Sequence, residues 1–398
     1  MAFSGMGSCV LVSFAASLFA LAGCGDDTGG GGSGGGVGGG SSVTDADLQP
    51  VMENYAANVH ANYEAALDKA EALKTAVDAF VAAPSEATQD AAKQAWLDAR
   101  PVFLESEVYR FYNGPIDNEE TGVEGQLNGW PLDESYIDYT QDAATAGIIN
   151  DPAGFPVIDK QMIADANEAI DEKSLSAGYH AVEFLLWGQD LNVEPTDAGL
   201  RSFTDYTTAT NADRRGDYLK AVTEKIVNDL GIVEAAWEPG AEYPTAFNAD
   251  PRGSLQKILT GMGSLSGGEL KNERINNAFQ EKDQEEEHSC FSDNTHIDHL
   301  HDAIGIENVY LGRFGSNDGP GLDDLVKKVD PALDEQMKAD LTAAIEAIKA
   351  IPIPFDQAIQ GNPPGARDKI QVTLDALDKL TVTTEAVAAA LDVTLTLE

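Results

Sequence analysis

Apolar side chains recur every three or four residues along most of this 398-residue chain. Between residues 51 and 83 this spacing places Val51, Tyr55, Val59 and Tyr63 on one helix face, as in an amphipathic helix with a buried stripe. Alternating Val and Ile segments between turns, which would indicate strands, are scarce. The pattern therefore predicts an all-α fold, with helices at about 51–83, 86–112, 158–172, 175–188, 212–236, 254–280, 297–309, 321–349 and 366–392.

Two breaks in the helical pattern suggest how the folded part is organised. A section from 113 to about 156 is dense in Gly, Pro, Asp and Asn, and a loop of this length inside a compact domain is usually functional or disordered. Pro, Gly, Thr and Asp cluster again at 192–210, as at domain boundaries. We expect two helical-bundle domains, an N-terminal one at 44–195 that contains the long loop and a C-terminal one at 196–398.

The first residues are typical of an export signal. Residues 9–23 are apolar but fall short of the roughly 20 apolar residues that span a bilayer, which suits the central region of a signal peptide. The run Leu-Ala-Gly-Cys that ends at Cys24 resembles a bacterial lipobox, whose cysteine is acylated. We therefore predict a lipoprotein signal peptide at 1–23, although no Lys or Arg precedes its apolar stretch; a plain transmembrane anchor is the alternative.

The residues after Cys24 fit a tether. Residues 24–43 are mostly Gly and Ser, a composition that behaves as a flexible coil. We expect the folded part to be held at the cell envelope by membrane lipid attached to Cys24. Gly25 rather than an Asp follows the cysteine, which favours the outer membrane, facing the periplasm or the cell surface.

Composition narrows the choice of partner. The chain has 25 Lys and Arg against 67 Asp and Glu, a formal net charge of −42. Such a charge repels phosphate backbones, so nucleic acid is excluded as a partner, and it attracts cations without selectivity. Solubility or a saline habitat is the simpler explanation of the acidity. Of the three cysteines only Cys290 lies in the folded part, so no disulfide framework is available.

The sharpest local feature is the run Gly-Tyr-His-Ala-Val-Glu at residues 178–183. Three positions apart on a helix, His180 and Glu183 share one face, and an imidazole and a carboxylate so placed can bind one metal ion. The neighbouring residues are apolar, so the pair is expected to be buried and must be hydrogen-bonded or metal-bound. A metal-free His–Glu hydrogen bond in the core explains the same spacing.

A second cluster holds four of the six histidines, at positions 288–301, among many carboxylates. His288, Asp293 and His296 offer the ligand types that suit iron, zinc or copper. The alternative is a helix start capped by Ser292 or Asp293 behind a solvated run of charges.

The long loop and the helix before it add two acidic candidates. Glu107 precedes the loop and could face a site or lie on the surface, and Asp117 follows shortly within the loop.

These motifs resemble the imelysin family. Residues 178–183 are similar to its Gly-x-His-x-x-Glu signature, and residues 129–133 and 287–296 look like the branch typified by iron-regulated protein A. The resemblance covers roughly residues 45–395 and implies two helical bundles with a site between them, a role in iron uptake, and His180 and Glu183 as metal ligands. To these we add as candidate ligands Glu107, Asp117, His288, Asp293 and His296.

Three functions follow from this sequence. The leading hypothesis is a non-catalytic, membrane-anchored iron-binding lipoprotein that supplies iron-transport components, with zinc or another divalent metal as the alternative ligand. A zinc peptidase is the second, although the chain has no His-Glu-x-x-His run and Phe184 follows Glu183, so both zinc-peptidase patterns fail. The third is an interaction scaffold with a metal-free His–Glu pair.

Overall fold

The computed structural model describes residues 42–191 and 198–397. The predicted signal peptide, the predicted acylation site Cys24 and all but the last residues of the predicted tether lie outside the described residues. Within the described part no helix is both long enough and apolar enough to cross a bilayer.

Helices dominate the described chain, so the predicted all-α fold is confirmed. The α-helices are α1 (Asp45–Ala82), α2 (Glu86–Leu104), α3 (Glu124–Leu127), α4 (Glu134–Ile137), α5 (Lys160–Ala166), α6 (Gly178–Trp187), α7 (Ala212–Trp237), α8 (Glu242–Ala249), α9 (Pro251–Ser264), α10 (Asn277–Glu281), α11 (Thr295–Leu311), α12 (Leu322–Val329), α13 (Pro331–Lys349), α14 (Phe355–Gln360) and α15 (Ala366–Ala390).

Other regular structure is brief. A π-helix, Leu265–Asn276, joins α9 to α10 in one continuous helical run. Strands β1 (Arg313–Phe314) and β2 (Asn317–Asp318) pair antiparallel after α11. Turns of 3₁₀-helix lie at Glu107–Tyr109, Ile148–Asn150, Phe203–Tyr206 and Gln284–Glu286.

One bundle is built on α1. The apolar stripe predicted along this helix is buried, with Val59, Tyr63 and Leu73 fully inaccessible to solvent. Helix α1 packs along α2 and α7, and α6 packs on both α2 and α7. Ser85 caps α2 by accepting a hydrogen bond from the Thr88 amide at 3.3 Å, which satisfies a free amide at the start of the helix.

A second bundle combines α11, α13 and α15 with the continuous run from α9 through the π-helix. Helix α11 also packs on α2, so the two bundles meet along α2 and α11. The predicted division into 44–195 and 196–398 stays a prediction; α7, which follows that boundary, packs on α1 and α6.

Three helix predictions were wrong in extent. The helix predicted at 158–172 ends at Ala166, and Glu168 beyond it has a φ of 56°. The helix predicted at 86–112 ends at Leu104, and the chain then enters a 3₁₀ turn and reaches Phe111, whose φ of 70° is incompatible with a continuing right-handed helix. The helix predicted at 321–349 is divided at Pro331, which lacks the amide hydrogen that an interior position requires. Asp330 caps the new helix by accepting hydrogen bonds from the Ala332 and Leu333 amides at 3.1 Å each.

The long loop is anchored by a buried ion cluster of Asp138, Arg201 and Arg215, called here the Asp138 cluster. The Asp138 carboxylate lies 2.7 Å from the Arg201 guanidinium and 2.6 Å from that of Arg215. Because Arg215 lies on α7 and Asp138 follows α4, these ion pairs fix the loop against the first bundle.

Candidate metal centre

The signature glycine sets the start of α6. Gly178 has a φ of 89°, and a Cβ atom there would lie 2.7 Å from the Leu127 carbonyl oxygen. Only glycine adopts this backbone conformation readily and also tolerates so close an approach. Glycine therefore lets α6 begin directly against α3, with His180 in its first turn.

His180 and Glu183 contact each other on α6 and are both fully buried. The distance from Nδ1 of His180 to Oε2 of Glu183 is 3.0 Å. The other carboxylate oxygen, Oε1, accepts hydrogen bonds from the Ser292 amide at 2.9 Å and the Ser292 hydroxyl at 2.6 Å. The predicted hydrogen-bonded pair is thus present, and a loop more than a hundred residues away in sequence holds it.

His288 completes an arrangement of two facing imidazoles. Its Nε2 lies 3.3 Å from Nε2 of His180, and the ring centroids are 4.6 Å apart. On its far side Nδ1 of His288 lies 2.7 Å from Asp298 on α11, and Asp298 pairs with Arg100 on α2 at 2.9 Å. We call His180 and His288 the imidazole pair; each ring has a carboxyl group behind its Nδ1.

The pKa values decide where the protons lie. Burial raises the pKa of Glu183 to about 8, so this carboxyl is protonated at neutral pH. Burial lowers the pKa of His180 well below its usual value. Burial and the positive charge of Arg274 lower the pKa of His288 to about 4. Burial opposes ionisation of Asp298, but Arg100 and His288 outweigh it and hold its pKa well below normal.

One proton arrangement satisfies all these contacts. Glu183 donates to Nδ1 of His180, the Nε2–H of His180 donates to Nε2 of His288, and the Nδ1–H of His288 donates to the Asp298 carboxylate. If both rings instead placed their hydrogens on Nδ1, two lone pairs would face each other at 3.3 Å, and a shared cation would be needed between them. The position between the two Nε2 atoms therefore suits either a proton or a metal ion.

The separation of the pair fits a shared metal. Two nitrogens 3.3 Å apart can each bind one ion at roughly 2.1 Å with an angle of about 105° at the metal, near the tetrahedral value. Imidazole nitrogen suits iron, zinc and copper. Among the described residues the pair belongs to no trio of His, Cys, Asp or Glu donor atoms within 4.8 Å of one another. The pair thus offers two donor nitrogens, and any further ligands of an ion placed here would have to come from the adjoining cleft.

That cleft is acidic and opens beside His288. It encloses about 420 Å³, and Trp130, on its wall, packs against His180 with ring centroids 4.8 Å apart. Its lining includes Arg110, Arg274 and the carboxylates Glu124, Glu168, Glu172, Glu269, Glu273 and Glu286.

Glu107 is buried next to the centre, within a network of arginines. It accepts hydrogen bonds from Arg110 at 2.6 Å, Arg274 at 2.5 Å and Asn128 at 3.2 Å. Burial alone would raise its pKa, but the two arginines outweigh burial and lower the pKa to about 2. Asn128 also accepts from Arg100 at 2.8 Å, so Glu107 is joined to the imidazole pair through other side chains. Its role as a ligand stays a prediction.

The other candidate ligands have different surroundings. Asp117 accepts hydrogen bonds from the Tyr112 amide at 3.1 Å and the Gly114 amide at 2.6 Å, as a turn residue does. The His296 ring contacts the Asp293 carbonyl oxygen at 3.1 Å. Asp293 itself has a carboxylate oxygen close to those of two other acidic residues. Metal ligation by Asp117, Asp293 and His296 stays a prediction.

Comparisons with known proteins agree with this fold. The family model described as Imelysin matches residues 59–384, which is most of the chain and includes every residue of the imidazole pair and its partners. The chain belongs to the imelysin family. The predicted family is confirmed.

Individual relatives of this imelysin include proteins named iron-regulated protein A, the branch that the sequence motifs resemble. The chain is 26% identical over 286 residues to iron-regulated protein A of Synechococcus elongatus, covering 71% of this chain and 70% of that protein. A solved structure described as an iron-regulated protein A precursor from Parabacteroides distasonis matches at a TM-score of 0.72 and 23% identity, over 89% of this chain and 97% of the other. An imelysin-like protein from Psychrobacter arcticum matches at a TM-score of 0.65 and 11% identity, over 89% and 98%.

Several residues around the imidazole pair were not among the predicted site residues. Arg100, Asn128, Trp130, Ser292 and Asp298 position or adjoin the imidazole pair. Arg100 had a sequence signal, because a charged side chain between Trp96 and Phe103 interrupts an apolar helix face and must be paired if buried. The other four are polar or aromatic residues of ordinary type, and their contacts arise only when distant segments meet.

Proposed function

We propose that this protein binds iron at the imidazole pair and that iron reaches the pair through the acidic cleft. The observation that carries the proposal is the 3.3 Å approach of the two Nε2 atoms, each on a ring whose Nδ1 contacts a carboxyl group. The name of the Synechococcus relative, iron-regulated protein A, supports an iron-related role.

The groups behind the two rings suit metal binding. A ligating histidine in proteins almost always contacts a carboxylate, carbonyl or water through its other nitrogen, which fixes the ring and raises its basicity. Here Asp298 lies 2.7 Å from Nδ1 of His288, and Glu183 lies 3.0 Å from Nδ1 of His180. When a metal replaces the proton between the rings, Glu183 can ionise and accept from Nδ1 of His180.

The cleft supports capture of a cation rather than an anion. Six carboxyl groups and two arginines line the cleft. An excess of one charge sign along a cleft raises the local concentration of ions of the opposite sign. Two protein nitrogens leave further coordination positions for water or for oxygen atoms of an iron chelate. A bound ion therefore stays exchangeable, which suits a protein that passes iron to transport components.

The cellular part of the proposal rests on the sequence. We propose that the protein is anchored in the cell envelope through acylated Cys24, with the Gly- and Ser-rich residues 24–43 as a tether. The Cys24→Ser variant is then expected to move from the membrane fraction to the soluble fraction and to lose acyl-chain labelling. Retention of wild-type fractionation would contradict anchoring at Cys24.

Titration with iron tests the binding site. Purified protein, stripped with chelator, is titrated anaerobically with iron(II), and in parallel with zinc, and binding is measured by calorimetry. We expect one ion per chain for the wild type and binding weaker by at least about tenfold for His180→Gln or His288→Gln, since each loses one of two protein ligands.

The control variant is His301→Gln. His301 pairs with Glu105 at 2.9 Å, away from the imidazole pair, so its loss should leave iron affinity unchanged. Circular dichroism confirms that each variant is folded. Equal iron affinity in the wild type and both imidazole variants would exclude the pair as the site.

A further inference from the structure

A second group of potential ligands lies on the other side of the segment that carries His288. Glu287 and Asp293 belong to this segment, which precedes α11, and Asp356 lies on α14. One carboxylate oxygen from each of the three residues lies within 4.8 Å of the others. We call these three residues the carboxylate trio. They share no residue with the imidazole pair.

Glu287 stands out within the trio because it is fully buried and neither of its carboxylate oxygens has a hydrogen-bond partner. Asp356 is 7% exposed, and its Oδ1 is likewise without a partner, while Gln357 donates to its Oδ2 at 2.6 Å. Within the described residues no Lys or Arg forms an ion pair with Glu287 or Asp356. Buried carboxylates are normally paired or bind metals.

We propose that Glu287, Asp293 and Asp356 bind a hard divalent cation, with Ca²⁺ preferred to Mg²⁺. Oxygen-only donor sets suit Ca²⁺, Mg²⁺ and Mn²⁺, in contrast to the nitrogen donors of the imidazole pair. Two oxygens on one Ca²⁺ can lie up to roughly 5 Å apart, since each binds at 2.3–2.6 Å, whereas Mg²⁺ requires about 2.1 Å. Mg²⁺ also retains several waters, which a fully buried Glu287 disfavours.

The cation would stabilise the segment 287–293, which carries His288 of the imidazole pair. Glu287 directly precedes His288, and Asp293 directly follows Ser292, which donates to Glu183. Successive residues thus turn to opposite sides, one towards the carboxylate trio and the next towards the imidazole pair. Binding at the trio ties this segment to α14 and requires neither of the two imidazoles.

The test is a Ca²⁺ titration of the full chain after treatment with EDTA, followed by calorimetry and by thermal unfolding. A buffer with about 0.15 M salt screens the loose attraction of cations to the acidic surface. We expect one Ca²⁺ per chain, a rise in Tm with Ca²⁺ concentration as binding to the folded state requires, and binding of Mg²⁺ at least about tenfold weaker.

Glu287→Gln and Asp356→Asn are the variants, and Glu119→Gln, which removes one exposed charge, is the matched control. Both trio variants should lose the Ca²⁺-dependent rise in Tm, while the control and His180→Gln keep it. Without Ca²⁺, Glu287→Gln should unfold close to the wild-type Tm, because a neutral amide of the same shape replaces a buried carboxyl group whose charged form burial disfavours.

The proposal is overturned by any of three results. These are no stoichiometric Ca²⁺ on the wild type, equal Ca²⁺ binding by the wild type and both trio variants, or equal affinity for Mg²⁺. Loss of iron binding in His180→Gln with Ca²⁺ binding retained would show that the two sites act separately.

Discussion

The Asp138 cluster and the imidazole pair are both buried groups of polar side chains. The first lies against α7 and the second contains a residue of α6. They differ in how their charges are balanced. In the Asp138 cluster, two arginines share one carboxylate at 2.6 and 2.7 Å. Burial opposes ionisation of Asp138, but hydrogen bonding from Arg215 and the charge of Arg201 lower its pKa overall. Asp138 and Arg215 therefore keep their opposite charges across the physiological pH range.

The imidazole pair, in contrast, lies beside a carboxyl group that changes protonation near neutral pH. Glu183 has its pKa raised to about 8, and the two rings share a single hydrogen between their Nε2 atoms. Arg100 and Asp298 form an ion pair behind the His288 ring. Buried polar groups therefore have two different roles in this protein. The ion pairs of the Asp138 cluster join the long loop to the first bundle. The hydrogen shared by the two rings occupies a position between their Nε2 atoms that a metal ion can take.

The largest expected effect is on the Asp138 cluster. Asp138→Asn leaves Arg201 and Arg215 buried without their carboxylate, and we expect a loss of about 3–5 kcal/mol in the free energy of unfolding. Urea denaturation measures it, with Asp142→Asn, an exposed position, as the control. A loss no larger than that of the control would mean that the cluster does not hold the loop in place.

The second-largest effect is expected on the pH dependence of the free energy of unfolding, in the variant Glu183→Gln. In the folded protein Glu183 keeps its proton up to about pH 8, whereas an unfolded Glu loses it near its usual pKa of about 4.3. The stability that this proton confers is therefore complete at low pH and is lost as pH rises through 8.

Glu183→Gln removes that contribution, so its free energy of unfolding should fall less steeply than that of the metal-free wild type between pH 5 and 8. The difference should amount to a few kcal/mol, at about 1.4 kcal/mol per pKa unit. Denaturation series at several pH values measure it, and Glu119→Gln should run parallel to the wild type. Parallel curves for Glu183→Gln as well would show that Glu183 is ionised at neutral pH.

Asp298→Asn tests whether Asp298 orients the ring of His288 for the proposed metal binding. The amide keeps the shape of the carboxylate but weakens its hold on Nδ1 of His288, and we expect roughly 10–100-fold weaker iron binding. Asp302→Asn is the control on the same helix, since Asp302 pairs with Arg274 at 2.8 Å. If the two variants bind iron equally well, Asp298 does not orient the ring.

The smallest effect is expected at Ser292. Ser292→Ala removes one of its two hydrogen bonds to Glu183, the hydroxyl bond of 2.6 Å, and leaves the amide bond of 2.9 Å. We expect about 1 kcal/mol of lost stability and iron affinity within a few-fold of the wild type. Thermal unfolding and the iron titration measure both; a complete loss of iron binding would make Ser292 a ligand in its own right.

Much of the fold could be read from the sequence because helical periodicity is a local signal. The stripe of α1 and the pair formed by His180 and Glu183 each lie on a single helix, so spacing alone predicts which face they share. Short elements such as α8 and α14 were missed, since too few turns repeat to establish a period.

The centre itself was less predictable because it is assembled from distant segments. His288 was predicted from the density of histidines, yet its contact with His180 joins residues 108 positions apart. Arg100 and Asp298 meet across 198 positions, and nothing local in either segment specifies the other. Asp117 looked equally acidic in sequence, but two backbone amides of its own turn occupy its carboxylate.

The π-helix at Leu265–Asn276 has a consequence for protein engineering. Arg274, which reaches Glu107 and Asp302, sits near its end, after the wider winding has shifted the phase of every later side chain relative to α9. Rewinding this stretch as an ideal α-helix would swing the guanidinium around the axis, since each residue accounts for about 100° of rotation. Any redesign that regularises this helix for stability would therefore disconnect the arginine from both carboxylates without altering a single amino acid beside them.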